Sequence, residues 1–166
     1  MRLTIRALSV TFLLFGHAPL SAAAQEATLA FEGLRSGADK PVEITADVLS
    51  INQKASTAIF TGNVLVIQGE LRLSADEMLV EYLQGDKSKI DKLHASGHVL
   101  LATSTEAAEA QKATYFMTNR QIEMTGDVLL TQKDTAITGQ KLVIDLTSGT
   151  GKMEGRVKTV LQPGGN

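Results

Sequence analysis

His94 and His98 are the first residues to suggest chemistry, because paired imidazoles often hold a transition metal. They lie four positions apart in the stretch L-H-A-S-G-H-V. On an extended chain that spacing is about 13 Å, too long for one ion. Gly97 permits a turn between them, yet the chain has no cysteine and no carboxylate placed to complete a ligand set. Asp47 and Asp76 could be imagined as an acid–base pair. They recur at a repeat interval and are followed by outward positions, which suits a turn or edge role. No serine stands in a G-x-S-x-G elbow, and no G-x-x-x-x-G-K-S/T or G-x-G-x-x-G stretch cradles a phosphate. The sequence therefore offers no catalytic residue, no metal site and no cofactor.

What the chain does position is a set of apolar columns. Gly62, Gly97, Gly126 and Gly155 lead into Val64, Val99, Val128 and Val157, and small residues recur at Ala46, Ala75, Ala110 and Gly139. The interval from small residue to glycine is 16 positions in three cases, and from glycine to the next small residue 13, which defines a 29-residue repeat. The second unit is six residues longer, and the polar run Gly85–Lys89 marks the expected insertion as a loop. Two before each glycine stand Phe60, Ala95, Met124 and Met153. Four after it stand Val66, Leu101, Leu130 and Thr159. Three and five after the small residue come Leu49 and Ile51, Met78 and Val80, Ala113 and Tyr115, Leu142 and Ile144. These alternate with charged residues such as Asp76, Glu81, Lys112, Glu123 and Lys141, as half-buried strands do. The step from offset zero to offset three breaks the two-residue period and predicts a bulge or corner.

About four short strands per unit predict an all-β architecture of roughly 16 strands, antiparallel where links such as Gln68-Gly69-Glu70 are hairpin-length. A packed parallel solenoid would serve the same periodicity. The interior is an uneven lining of Met78, Met117, Met124, Met153, Phe60 and Tyr115 beside small alanines. Such a lining fits adaptable apolar contact. A ligand groove and a plain core are equally compatible with it.

The first residues read as an export address: Arg2 and Arg6, an apolar run Ala7–Phe15, and Ala22-Ala23-Ala24 as the cleavage site. Residues 1–24 are then a signal peptide and 25–40 a leader that is poorly ordered or a single turn. Residues 41–163 form the domain, opened by Pro41, and 164–166 are a tail. Of the 16 basic residues two leave with the signal, so the formal charge falls from −2 to about −4. That charge, with no Trp, argues against a nucleic-acid partner. Without cysteine the exported domain is held by burial alone.

Phe60-Thr61-Gly62-Asn63-Val64 with Gln68-Gly69, followed by Ser74-Ala75-Asp76, resembles the core motif of the OstA family of periplasmic lipopolysaccharide transport proteins. Pro41-Val42-Glu43-Ile44, Thr125-Gly126-Asp127-Val128 and the closing Arg156–Leu161 followed by Pro163 match it in order and spacing. The resemblance implies an open, twisted antiparallel β-jellyroll that binds lipid A acyl chains in an apolar groove. It further implies a bridge between an inner-membrane LptC-like protein and an outer-membrane LptD-like protein through head-to-tail self-association. Val42, Ile44, Tyr115 and Met117, with Leu101 or Ala102, match the family's lipid-contacting interior. Together with the repeat columns they give a candidate lipid-binding set that adds Leu49, Ile51, Phe60, Val64, Val66, Met124 and Val128. Val42, Glu43, Ile44 and Thr45 at one end, and Val157, Lys158, Thr159, Val160 and Leu161 at the other, are the candidate edge-pairing strands. The soluble domain of an LptC-like protein and a β-solenoid scaffold that binds no lipid are the rival readings.

Overall fold

The computed structural model describes residues 28–31 and 39–161. The expected signal peptide and the tail 164–166 lie outside the described residues, as do parts of the leader. Alternating apolar residues separated by turn residues form eleven strands in one antiparallel sheet. They are β1 (Thr28–Ala30), β2 (Glu43–Thr45), β3 (Val48–Asn52), β4 (Thr57–Gln68), β5 (Leu71–Leu83), β6 (Asp86–Ala102), β7 (Glu106–Phe116), β8 (Gln121–Gln132), β9 (Thr135–Asp145), β10 (Thr150–Glu154) and β11 (Lys158–Leu161). β4 to β9 form an up-and-down meander, flanked by β2 and β3 on β4 and by β10 and β11 on β9. Every described pairing is antiparallel, which removes the parallel solenoid. Gln68 pairs with Leu71 across Gly69-Glu70, and Gly69 has φ 62°, the left-handed first position of a two-residue hairpin.

Each long strand folds over at one corner. The ladders shift register between Thr61 and Val64, Ser96 and Val99, and Thr125 and Val128, where the repeat's glycines lie. At each corner the glycine and the residue after it are both left-handed: Gly62 and Asn63, Gly97 and His98, Gly126 and Asp127, Gly155 and Arg156. Asn, His and Asp tolerate that conformation better than most side chains, and Arg156 is the exception. The residue after the small position closes the corner. Asn63 Nδ2 donates to Asp47 Oδ2 at 2.8 Å, His98 Nδ1 lies 2.8 Å from Asp76 Oδ2, and Gln111 Nε2 donates to Asp127 Oδ2 at 2.9 Å. The aspartate column is thus corner structure, and His98 is a corner residue while His94 faces Glu81 and Thr114 further along β6.

The corners divide the sheet into two facing layers. One holds β2, β11 and the arms containing Val64, Leu73, Val99, Ala108, Val128 and Ile137. The other holds β3, β10 and the arms containing Ala58, Met78, Ala95, Tyr115, Met124 and Leu142. Six bent strands give two arms each and β2, β3, β10 and β11 one each, so the sixteen short strands expected from the repeat are sixteen arms; β1 is additional. The inner faces meet in one continuous core in which Met78, Ile122, Met124, Leu130, Leu142 and Ile144 are fully buried.

Three local expectations differ. The six extra residues of the second unit do not loop out. They lengthen the β5–β6 hairpin, whose turn is Gln84-Gly85, and Asp86–Lys89 are extended strand. Lys87 Nζ donates to the Gln53 carbonyl at 3.0 Å, tying that extension to the neighbouring turn. The leader is not merely irregular, because Thr28–Ala30 pair with β10 and Phe31 is buried. Val42 and Val157 fall just outside β2 and β11, since Val157 belongs to a corner.

Candidate functional site

The space between the layers is closed along the corners and bounded on the opposite side by two rims of turns. The repeat columns build it because every second residue of each arm points inward. Val64, Val66, Leu101, Tyr115, Met124 and Val128 are buried there, while Ile44, Phe60 and Met117 are partly buried against the same core and Val42 joins them. Leu49 and Ile51 occupy the same inward columns yet are 51% and 67% exposed. Among the described residues β3 is the last arm of its layer, with no further strand to cover them from the outer side. At the other end Val157 and Leu161, in the inward columns of the last arm, are likewise exposed, while Val160 alternates to the outer face. Apolar columns therefore run out to both ends of the structure.

At the rim the two layers are linked by polar contacts and by the leader. Tyr115 Oη donates to Gln68 Oε1 at 3.1 Å, and Gln68 Nε2 donates to the Lys40 carbonyl at 3.0 Å. Arg120 pairs with Asp39. Further along, Gln132 Nε2 donates to the Ala30 carbonyl at 2.9 Å and Phe31 N–H to the Gly149 carbonyl at 2.7 Å. Each described piece of the leader thus touches one rim of each layer. Phe31 is 1% exposed, and beside its ring is a cavity of about 10 Å³ lined by Leu101, Ala102, Ala108 and Leu130 among others, room for no more than one water. Leu29 and Phe31 belong to this interior yet lie outside the repeat columns. Their signal is a three-residue apolar alternation, too short to register as a period.

Burial pushes the Tyr115 hydroxyl above the ordinary tyrosine pKa; Arg120 and the Gln68 hydrogen bond oppose this, and Asp39 adds to it. A phenol whose folded pKa is raised contributes stability that is intact below its unfolded pKa near 10 and fades as pH rises through the folded value. Tyr115→Phe should cost about 0.5–1.5 kcal/mol at neutral pH. It should also shrink the alkaline loss of stability seen in denaturant titrations from about pH 9 to 11. An unchanged alkaline profile would show that Tyr115 is not the group that titrates.

Among the described residues no group of three or more His, Cys, Asp or Glu is arranged to hold a metal ion, and no helix is long and apolar enough to cross a membrane. Outer-face pairs such as Lys141–Glu123 at 3.0 Å are partly exposed cross-strand contacts of small energetic weight. The candidate site is the packed apolar interior between two antiparallel layers, whose columns reach exposed edges at both ends of the described sheet and which is strapped along one rim.

The fold is that of a bent antiparallel jellyroll with an apolar interior, and the similarity to known proteins specifies the family. A family model described as "LptA/(LptD N-terminal domain) LPS transport protein" matches residues 43–150, and the chain belongs to that family. It is 32% identical over 153 residues to an uncharacterised protein of Rhizobium meliloti, covering 86% of this chain and 82% of that one. To the lipopolysaccharide export system protein LptA of Escherichia coli K12 it is 30% identical over 142 residues, covering 75% of this chain and 72% of that one. Among solved structures it superposes on LptH of Pseudomonas aeruginosa, the LptA-homologous periplasmic component of the lipopolysaccharide transport device. The TM-score is 0.68 at 18% identity, covering 77% of this chain and 99% of that one, and this likeness concerns the fold. The family is one of lipopolysaccharide transport proteins, a non-enzymatic role.

Proposed function

We propose that this chain is a periplasmic carrier that holds lipid A acyl chains in the groove and joins end to end into a trough between the two membranes. The observation that carries the reading is the run of inward columns to exposed apolar ends, with Leu49 and Ile51 at one and Val157 and Leu161 at the other. The proposed lipid-contacting residues are Val42, Ile44, Leu49, Ile51, Phe60, Val64, Val66, Leu101, Tyr115, Met117, Met124 and Val128. The rim opposite the corners is where the layers part for a chain to enter, because no backbone ladder joins them there. Sheltering about ten methylenes is worth on the order of 8 kcal/mol before ordering costs, at about 0.8 each. A carrier gripping that hard on its own would release slowly. A trough in which one apolar wall replaces another avoids the penalty, with energy supplied by other components.

Unpaired backbone groups on the outer edges of β2, β3 and β11 are the proposed pairing surfaces, for further copies and for LptC-like and LptD-like partners at the membranes. Heterologous pairing of unlike ends gives rods rather than rings. Protein purified from envelopes without detergent should bring lipopolysaccharide with it, and a photoreactive residue at Ile44 or Tyr115 should crosslink to that lipid. Lipid-free protein together with no crosslink at either position would refute the carrier reading.

A further inference from the structure

We infer that β1 is an internal stand-in for the β3 strand of a second copy of this chain, seated on the β10 edge until that copy displaces it. The inference rests on the end-to-end assembly proposed above and adds a device that limits it.

The two-layered sheet has four terminal arms. Within the described residues β2, β3 and β11 have no strand on their outer side, whereas β10 carries β1. β3 and β10 lie in one layer and β2 and β11 in the other. A following copy that continues the alternating meander therefore brings its β2 beside β11 and its β3 beside β10, each antiparallel. β1 already runs antiparallel to β10 in that place, with Leu29 opposite Gly151.

The side chains repeat the match. Thr28-Leu29-Ala30-Phe31 and Val48-Leu49-Ser50-Ile51 share one pattern, with leucine and a second large apolar residue two positions apart and a small residue between. Leu29 and Phe31 are 9% and 1% exposed, while Leu49 and Ile51 are 51% and 67% exposed. One chain thus holds a filled seat for this pattern and an unfilled copy of the pattern. Gly151 shapes the seat: a Cβ there would lie 2.2 Å from Phe31 Cε2, so the ring lies directly on the backbone. An incoming Leu49 and Ile51 would meet the same apolar floor.

The occupant is built to leave. β1 is three residues long, and the β11 edge beside it is open, so an incoming β2 can pair there first and β3 can then replace β1 by strand exchange. Assembly is weakened by the fraction of chains whose β10 edge is occupied.

The test locks and releases β1 in the chain from Gln25 onward, which contains no cysteine of its own. Ala30 and Thr150 are directly opposite. The Phe31–Gly149 bond makes theirs the non-hydrogen-bonded pair, with a Cα separation near 4.5 Å that suits a disulfide. In sedimentation velocity over a concentration series, oxidised A30C/T150C should self-associate at least about tenfold more weakly than the same protein reduced. Phe31→Asp, which expels β1, should associate more tightly than the unaltered chain. The exposed-site double substitution Leu49→Asp/Ile51→Asp should prevent association in every background. Equal association of the oxidised and reduced forms, or no gain with Phe31→Asp, overturns the stand-in while leaving end-to-end assembly in place. Monomers throughout, Phe31→Asp included, overturn both.

Discussion

Ile44→Asp should weaken lipopolysaccharide binding by about a hundredfold or more, on the order of 3 kcal/mol, and abolish carriage, while lowering the thermal midpoint by only a few degrees. Ile44 sits on β2 opposite Val66, partly buried against the core at an open end. In the lipid-free protein an aspartate there can turn its carboxylate to water, so the fold loses one apolar contact. Once an acyl chain lies across the position, the carboxylate must be desolvated with no cation to pair it, a penalty of several kcal/mol. Glu43→Lys is the control, because Glu43 is exposed on the opposite face of the same strand. Binding titrations and melting curves on both variants decide the matter. Normal binding by Ile44→Asp would place the lipid elsewhere.

Gly97→Ala should cost about 3 kcal/mol, visible as a fall of roughly 10 °C in melting temperature. Gly97 has φ 76°, which costs an L-residue about 1–2 kcal/mol. A Cβ there would also stand 2.3 Å from Asp76 Oδ2 and 2.9 Å from Asp76 Cβ. The carboxylate can swing aside at the expense of its contact with His98, but Asp76 Cβ moves only with its strand, and such overpacking adds about 1–3 kcal/mol. Gly85 separates the two contributions. Its φ is 88°, yet no atom lies within 4 Å of its added Cβ, so Gly85→Ala should cost only the conformational part. Equal losses at the two glycines would mean that the corner has no steric requirement of its own.

The corners were legible because they depend on short-range chemistry. The two-residue alternation breaks three positions after each small residue, and the structure sets the matching left-handed pairs at Gly62, Gly97 and Gly126, each followed by Asn, His or Asp. The inward columns were legible because strand alternation fixes which side a residue takes. Alternation does not say whether anything stands on that side. Val64, Val99 and Val128 have arms on both flanks and are buried, whereas Val157, in the same column, is 42% exposed beside an open edge. Leu49 and Ile51 fail to be buried for the same reason at the other end. Composition misled at Asp86–Lys89, where a polar run is strand because the hairpin continues beyond the body of the sheet.

Sequence alone determined the repeat, its corners, its all-β character and the apolar face of each arm, since all of these follow from spacings within about 30 residues, while the strand ladders decided antiparallel over parallel. Only tertiary structure decided that Leu29 meets Gly151, that Phe31 lies between the rims, and that Gln68 joins Tyr115 to the leader. Apart from the 28-position link of Gln68 to Lys40, those contacts span 47 to more than 100 positions and depend on where a twisted meander brings its last arm. No local propensity encodes that position, because it results from the bends of all the arms before it.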